Sequence, residues 1–319
     1  MRRASVCLAL VASALVGGAL AAAAGGRPVQ GAPHCQLFPK SNSWNQRADK
    51  LPVAANSSAI VHSIGTDEGL HPDFGAGLYA GGPIGIPYTT VSKHQHKVHV
   101  KFDYAGESDK GPYPIPKNVP IEGGRKSSGD RHALIVDRDS CRLYELYSLY
   151  PPPSGSSTWR AGSGAIWSLK SNHLRPRTWT SADAAGLPIL PGLARYEELK
   201  HGGIDHALRF TVRRTRRAYV YPATHWASKL DDPDLPRMGE RFRLREDFDV
   251  SRFPAHAQAI LKGLKTYGMF MADNGRDWLM SIAPDRRLDL KGLETLSRVK
   301  GRDFEVVQTT GPNEGPRKR

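Results

Sequence analysis

The chain has 319 residues, is 39% hydrophobic and carries three cysteines, which suits one large domain or two small ones and excludes a disulfide knot. Its 32 glycines and 24 prolines follow no fixed period, so collagen and low-complexity tracts are excluded and long helices should not dominate. Forty-five basic against 31 acidic side chains give a net charge of +14, a field that attracts polyanions.

Arg2 and Arg3 precede an apolar run over 4–24 whose small-residue end suits a signal peptidase, so residues 1–24 read as an export signal and the protein as secreted or periplasmic. The run is too rich in alanine and glycine for a retained anchor. Cys7 leaves with the signal, and Cys35 and Cys141 remain as one predicted disulfide in an oxidising compartment. Closing a loop of roughly a hundred residues is worth about 4 to 5 kcal/mol in chain entropy. Residues 25–34 read as a flexible linker, 35–310 as a single globular domain and 311–319 as a basic disordered tail.

Further along, 56–64 predicts a short helix stopped at Gly65, and 84–91 and 98–104 predict strands. Turn residues fill 107–131. Residues 132–138 and 141–147 predict a hairpin about Asp139-Ser140, and 159–169, 206–212, 218–222 and 242–245 continue the β pattern. The apolar spacing of 254–267 predicts an amphipathic helix. Residues 269–272 and 278–282 flank Asp273-Asn274-Gly275, a strong hairpin signal. A helix near 290–299 and a strand at 304–307 close the pattern. The fold expected is mainly β, a single β-sandwich-like domain with peripheral amphipathic helices, with α+β as the alternative.

Motifs for phosphate loops, zincins, ordinary esterases and zinc fingers do not occur. His94 and His96 would share a strand face while His99 points away, so a basic strand edge is the plainer reading, and no metal or other cofactor is expected.

Candidate chemistry rests on polar residues in apolar or turn-constrained surroundings. Asp183 lies in Thr180-Ser-Ala-Asp-Ala-Ala-Gly-Leu-Pro, where small residues allow close approach of a ligand. His206 opens a strand and shares a face with Leu208 and Phe210, whereas Arg209 takes the other. His206 is the expected base, Asp183 the orienting group or acid, and Arg209 or Arg177 the neutraliser of a substrate carboxylate. Structural alternatives are a satisfied core histidine and a helix-capping aspartate. Glu107 and Asp109 form a carboxylate pair of the kind a glycosidase uses, and His132 beside Asp130 adds a further base. A turn at Asp109-Lys-Gly-Pro is the plain alternative. Trp167 and Trp179 are candidate sugar platforms, with His225 as another substrate contact.

The blocks Cys35-Gln-Leu-Phe-Pro39, Glu107-Ser-Asp-Lys-Gly-Pro-Tyr-Pro-Ile-Pro116, Gly129-Asp-Arg-His132, Ala161-Gly-Ser-Gly-Ala165, Thr180-Ser-Ala-Asp-Ala-Ala-Gly-Leu-Pro-Ile-Leu-Pro-Gly-Leu193, Ile204-Asp-His-Ala-Leu-Arg-Phe210 and Tyr267-Gly-Met-Phe-Met-Ala-Asp-Asn-Gly275 resemble those of a family of exported bacterial proteins. The resemblance implies one coherent unit over nearly all of the mature chain and brings no activity with it. Export, basic charge and a β-rich frame together lead to the expectation of a secreted polysaccharide-active enzyme, lyase or glycoside hydrolase, on an acidic glycan. The alternative is a non-catalytic glycan or cell-wall polymer binding protein. A nucleic-acid partner, stable membrane insertion after signal cleavage and oligomerisation are not expected. Asp183 and His206 should meet at one concave surface rimmed by basic side chains.

Overall fold

A computed structural model describes residues 25–73, 78–79 and 82–308; the expected export signal (1–24) and basic tail (311–319) lie outside them. Strands take 26% of the chain against 17% for helices, so the protein is mainly β, arranged in sheets.

Gly25–Gly26 (β1) pairs antiparallel with Leu37–Pro39 (β2). Between them Val29 and Ala32 are buried in the main core, so 25–34 is a packed segment and not the flexible linker expected. Helix α1, Ser57–Ile64, buries Ile60, Val61 and Ile64 along one face. His71–Asp73 (β3), Leu78–Tyr79 (β4), Gly82–Pro83 (β5), Tyr88–Val91 (β6) and Val100–Phe102 (β7) follow as short strands. His94, His96 and His99 all lie exposed in the loop between β6 and β7.

Ala133–Asp137 (β8) and Arg142–Tyr147 (β9) form the expected hairpin, with Asp137 opposite Arg142. The Asp137 carboxylate accepts the Asp139 and Ser140 N–H groups at 3.0 and 3.3 Å and so closes the turn. Cys141 follows directly and is bonded to Cys35, with 5.2 Å between their Cα atoms. Replacing both cysteines by serine is expected to lower the unfolding free energy by about 2 to 5 kcal/mol in urea titrations, because the open loop frees the unfolded chain.

The expected strand at 159–169 breaks at Gly162 into Trp159–Ala161 (β10) and Ser163–Ser168 (β11). Leu208–Val212 (β12), Arg241–Leu244 (β13), Met269–Asn274 (β14), Leu279–Ser281 (β15) and Phe304–Val307 (β16) complete the strands. Residues 218–222 form no strand and contribute a single bridge, Tyr219 to Met238. Helices α2 (Tyr196–Lys200), α3 (Ala255–Thr266) and α4 (Leu290–Glu294) intervene.

Two larger sheets result. One has the order β11-β9-β8-β6, the other β16-β13-β14-β12-β15-β3. Strand β8 serves a core on each face: Leu134 and Val136 join Leu208 and Phe210 in the main core, whereas Ala133 and Ile135 join Tyr113 and Trp159 in a smaller one. This double burial explains its unbroken apolar run.

The Asp273-Asn274-Gly275 hairpin is not formed. Strand β12 lies between β14 and β15, parallel to the first and antiparallel to the second. The turn crosses the end of β12, where Gly275 N–H donates to the Val212 carbonyl at 2.9 Å and the Thr211 hydroxyl to the Arg276 carbonyl at 2.8 Å. A Cβ on Gly275 would sit 2.7 Å from the Thr211 hydroxyl oxygen, so the crossing needs glycine. Asp273 is thereby delivered to the carboxyl end of a strand instead of a two-residue turn.

Candidate active site

A cavity of about 410 Å³ opens where several elements end. Glu107 enters from a short 3-10 turn, Asp130 from the loop before β8, Tyr147 from the end of β9, Ser163 from the start of β11, and Asp273 and Asn274 from the end of β14. Thr180 to Ala184, Tyr104, His225 and Ala227 complete the wall. Five of the seven sequence blocks quoted above contribute to it.

The loop at 180–187 is held from every side. The Ser181 hydroxyl bonds the Asp183 and Leu187 carbonyls at 2.9 and 2.5 Å, and Ser163 donates to the Ser181 carbonyl at 2.6 Å. Ala185 N–H donates to the Ala272 carbonyl at 2.9 Å, which ties the loop to β14. Gly186 has φ +71°, and a Cβ there would lie 2.1 Å from the Thr224 hydroxyl oxygen. Further on, fully buried Glu145 accepts the N–H groups of Ile189 and Leu190 at 2.9 to 3.0 Å and the Trp167 indole N–H at 3.2 Å. Burial pushes its carboxyl up to about 7, against the pull of these donors.

Asp183 is fully buried and gripped by the Arg209 fork, with Nε at 2.9 Å and Nη2 at 2.7 Å. Asp183 caps no helix. Arg209 Nη1 also donates to the Ser281 hydroxyl at 2.9 Å, so its fork is committed to the protein and is not offered to a substrate carboxylate. Asp273 is half-buried beside this pair. Burial and the Asp183 charge raise its carboxyl well above the usual carboxylate range, to about 8, with Arg209 opposing. Asp273 Oδ1 accepts the Asn274 N–H at 2.7 Å and its Oδ2 the Ala184 N–H at 3.4 Å. Burial and the neighbouring Asp183 charge thus favour the neutral form of this carboxyl.

Glu107 accepts the Thr180 N–H at 3.0 Å and faces His225 Nε2 at 3.9 Å. His225 Nδ1 donates to the Ala184 carbonyl at 2.7 Å, which points Nε2 toward Glu107. Asp109 turns away and accepts the Ile166 N–H at 2.8 Å and Arg175 at 2.6 Å. Arg175 also holds the Thr180 and Glu107 carbonyls and lies between the Trp167 and Trp179 rings. Asp109, Trp167 and Trp179 are thus a brace between two site loops and do not line the cavity.

His132 is buried behind the loop, with Nδ1 at 2.6 Å from Glu122 and Nε2 donating to the Ala182 carbonyl at 3.0 Å. Burial works against its charge, but the Glu122 carboxylate outweighs it and keeps the ring protonated to about 9. This raised value stabilises the fold fully below the unfolded imidazole's pKa and is lost as pH rises through about 9. Urea midpoints should fall from about pH 7 to about pH 10, and His132→Gln should remove the part of that fall owed to this ring.

His206 does not line the cavity. It is buried against Glu198 at 3.0 Å and the Ala207 carbonyl at 2.7 Å. The expected Asp183–His206 surface is therefore replaced by one joining Asp183 to Asp273 and Glu107. Arg177 is exposed and absent from the wall, and His225 is the single basic side chain lining it. The expected basic rim is replaced by carboxyl groups. In the sequence Asp273 reads only as a turn residue, and Asp130 with His132 as a further acid and base.

Comparison with family models, curated proteins and solved structures finds no match.

Proposed function

We propose that the protein is an exported polysaccharide-active enzyme that hydrolyses glycosidic bonds, with Asp273 as acid and Glu107 as base or nucleophile. The observation that carries this reading is a cavity lined by the Asp273, Glu107 and Asp130 carboxyl groups, of which Asp273 is pushed well above the usual carboxylate range by burial and the Asp183 charge. Glycoside hydrolysis needs such a division of labour: one carboxyl gives a proton to the leaving oxygen, while another attacks or activates water. The transition state is oxocarbenium-like and positively charged, so a carboxylate-rich wall stabilises it. A lyase develops negative charge and would be disfavoured in the same wall. The cavity gathers several titratable groups and no tryptophan, which supports an enzyme over a binding protein built on a flat aromatic strip. In this reading the two larger sheets are facing, sandwich-like layers with the cavity at their shared end.

The test is a panel of neutral, uronate-bearing and amine-bearing polysaccharides incubated with the mature protein. Reducing ends should rise without ultraviolet-absorbing unsaturated ends, and Glu107→Gln should lower the rate by roughly a hundredfold or more. Unsaturated ends would point to elimination. Binding without any new chain ends would leave the non-catalytic alternative.

A further inference from the structure

We propose that a second cavity, of about 480 Å³, binds a carboxylate-bearing sugar unit of an acidic glycan, separately from the hydrolytic site and independently of whether that site hydrolyses. Its wall carries Lys40, Arg47 and Arg241 and no aspartate or glutamate. That charge is the reverse of the first cavity's, although the two share β14: Phe270 lines one and Asp273 the other. Excess positive charge in a single hollow focuses anions there more strongly than the same charge scattered over a surface.

The hollow is built for more than a bare ion. Arg241 is buried, lies 4.8 Å over the Phe270 ring, and donates to the Tyr267 carbonyl at 2.7 and 2.9 Å and to the Gln46 carbonyl. Trp44 packs edge-on against Phe270 at 5.1 Å and stiffens the floor. Arg47 is fixed by Asp49 at 2.5 Å but remains mostly exposed, and Lys40 is exposed with no ion pair among the described residues. Beside these cations stand the apolar surfaces of Tyr221 and Phe270. An inorganic anion would use only the cations, and an alkyl chain only the apolar wall. A uronate unit presents both a C–H face and a carboxylate, and so matches both.

Isothermal titration calorimetry with an oligogalacturonate and an uncharged oligogalactoside of equal length tests the proposal. The uronate oligomer should bind in preference, and should weaken with added salt and by at least tenfold in Lys40→Glu/Arg47→Glu. Both replaced side chains are exposed, and a melting curve together with Lys40→Glu alone guards against misfolding. Asp273→Asn should bind the uronate oligomer as the parent does. Equal affinity for the two oligomers, no binding of either, or uronate binding undiminished by the charge reversals would overturn the proposal. So would loss of uronate binding in Asp273→Asn, which would place the sugar in the first cavity. None of these outcomes depends on hydrolysis.

Discussion

Under the glycan hydrolysis proposed above, Asp273→Asn is expected to slow turnover by roughly 10²- to 10⁴-fold, the usual contribution of a positioned acid, while the melting temperature at neutral pH holds or rises. Its carboxyl, raised to about 8 by burial and by Asp183, keeps its proton in the folded state after the unfolded chain has lost it. A raised carboxyl favours folding most below its unfolded pKa, and that advantage disappears as pH rises through the folded value. At neutral pH the group therefore weighs against folding, and the neutral amide removes the burden. Two measurements check this: the pH dependence of kcat in the parent should fall on the alkaline side as Asp273 ionises, and thermal melts of the variant should lose part of their decline between about pH 4 and about pH 8. Turnover unchanged in Asp273→Asn would remove the acid from the mechanism.

Arg209→Met should be the most damaging single change to the fold, at about 3 to 5 kcal/mol by urea unfolding, because it strands the fully buried Asp183 carboxylate. It also removes the donor to Ser281. Adding Asp183→Asn should recover part of the loss, since the amide carries no charge into the interior. If the double variant were no more stable than Arg209→Met, packing of the long side chain, and not its charge, would be the main contribution.

Periodic features were the most legible in the sequence. The spacing at 254–267 became Ala255–Thr266, and the hairpin at 132–147 and the cysteine pair formed as expected. Those signals are local or have no competitor. The site was read in part, because its parts meet through long-range packing. Strand parity could not show that β12 begins only at Leu208 and leaves His206 outside it, that α2 would bring Glu198 to His206, or that the 180–187 loop would bring Asp183 to Arg209. Glu107 and Asp109 looked equivalent. A 3-10 turn ending at Glu107 interrupts the extended backbone, and only the first of them lines the cavity. The Asp-Asn-Gly signal for a tight turn is physically sound, yet β12 outcompetes it by pairing with both flanking strands.

That insertion governs how the chain can fold. Strand β3 pairs with β15, Val53 bridges Val307, and β12 must lie beside β14 before the six-stranded sheet has a centre. The early strand β3 and the last described strand β16 therefore belong to the same sheet, at its opposite edges, and few of its pairings are between neighbours in sequence. Such contact order places folding toward the slow end, on the order of milliseconds to seconds, because loop-closure entropy is spent before the long-range contacts form. The sheet cannot close until β15 and β16 have been synthesised. A nascent chain therefore completes this sheet only near the end of its synthesis.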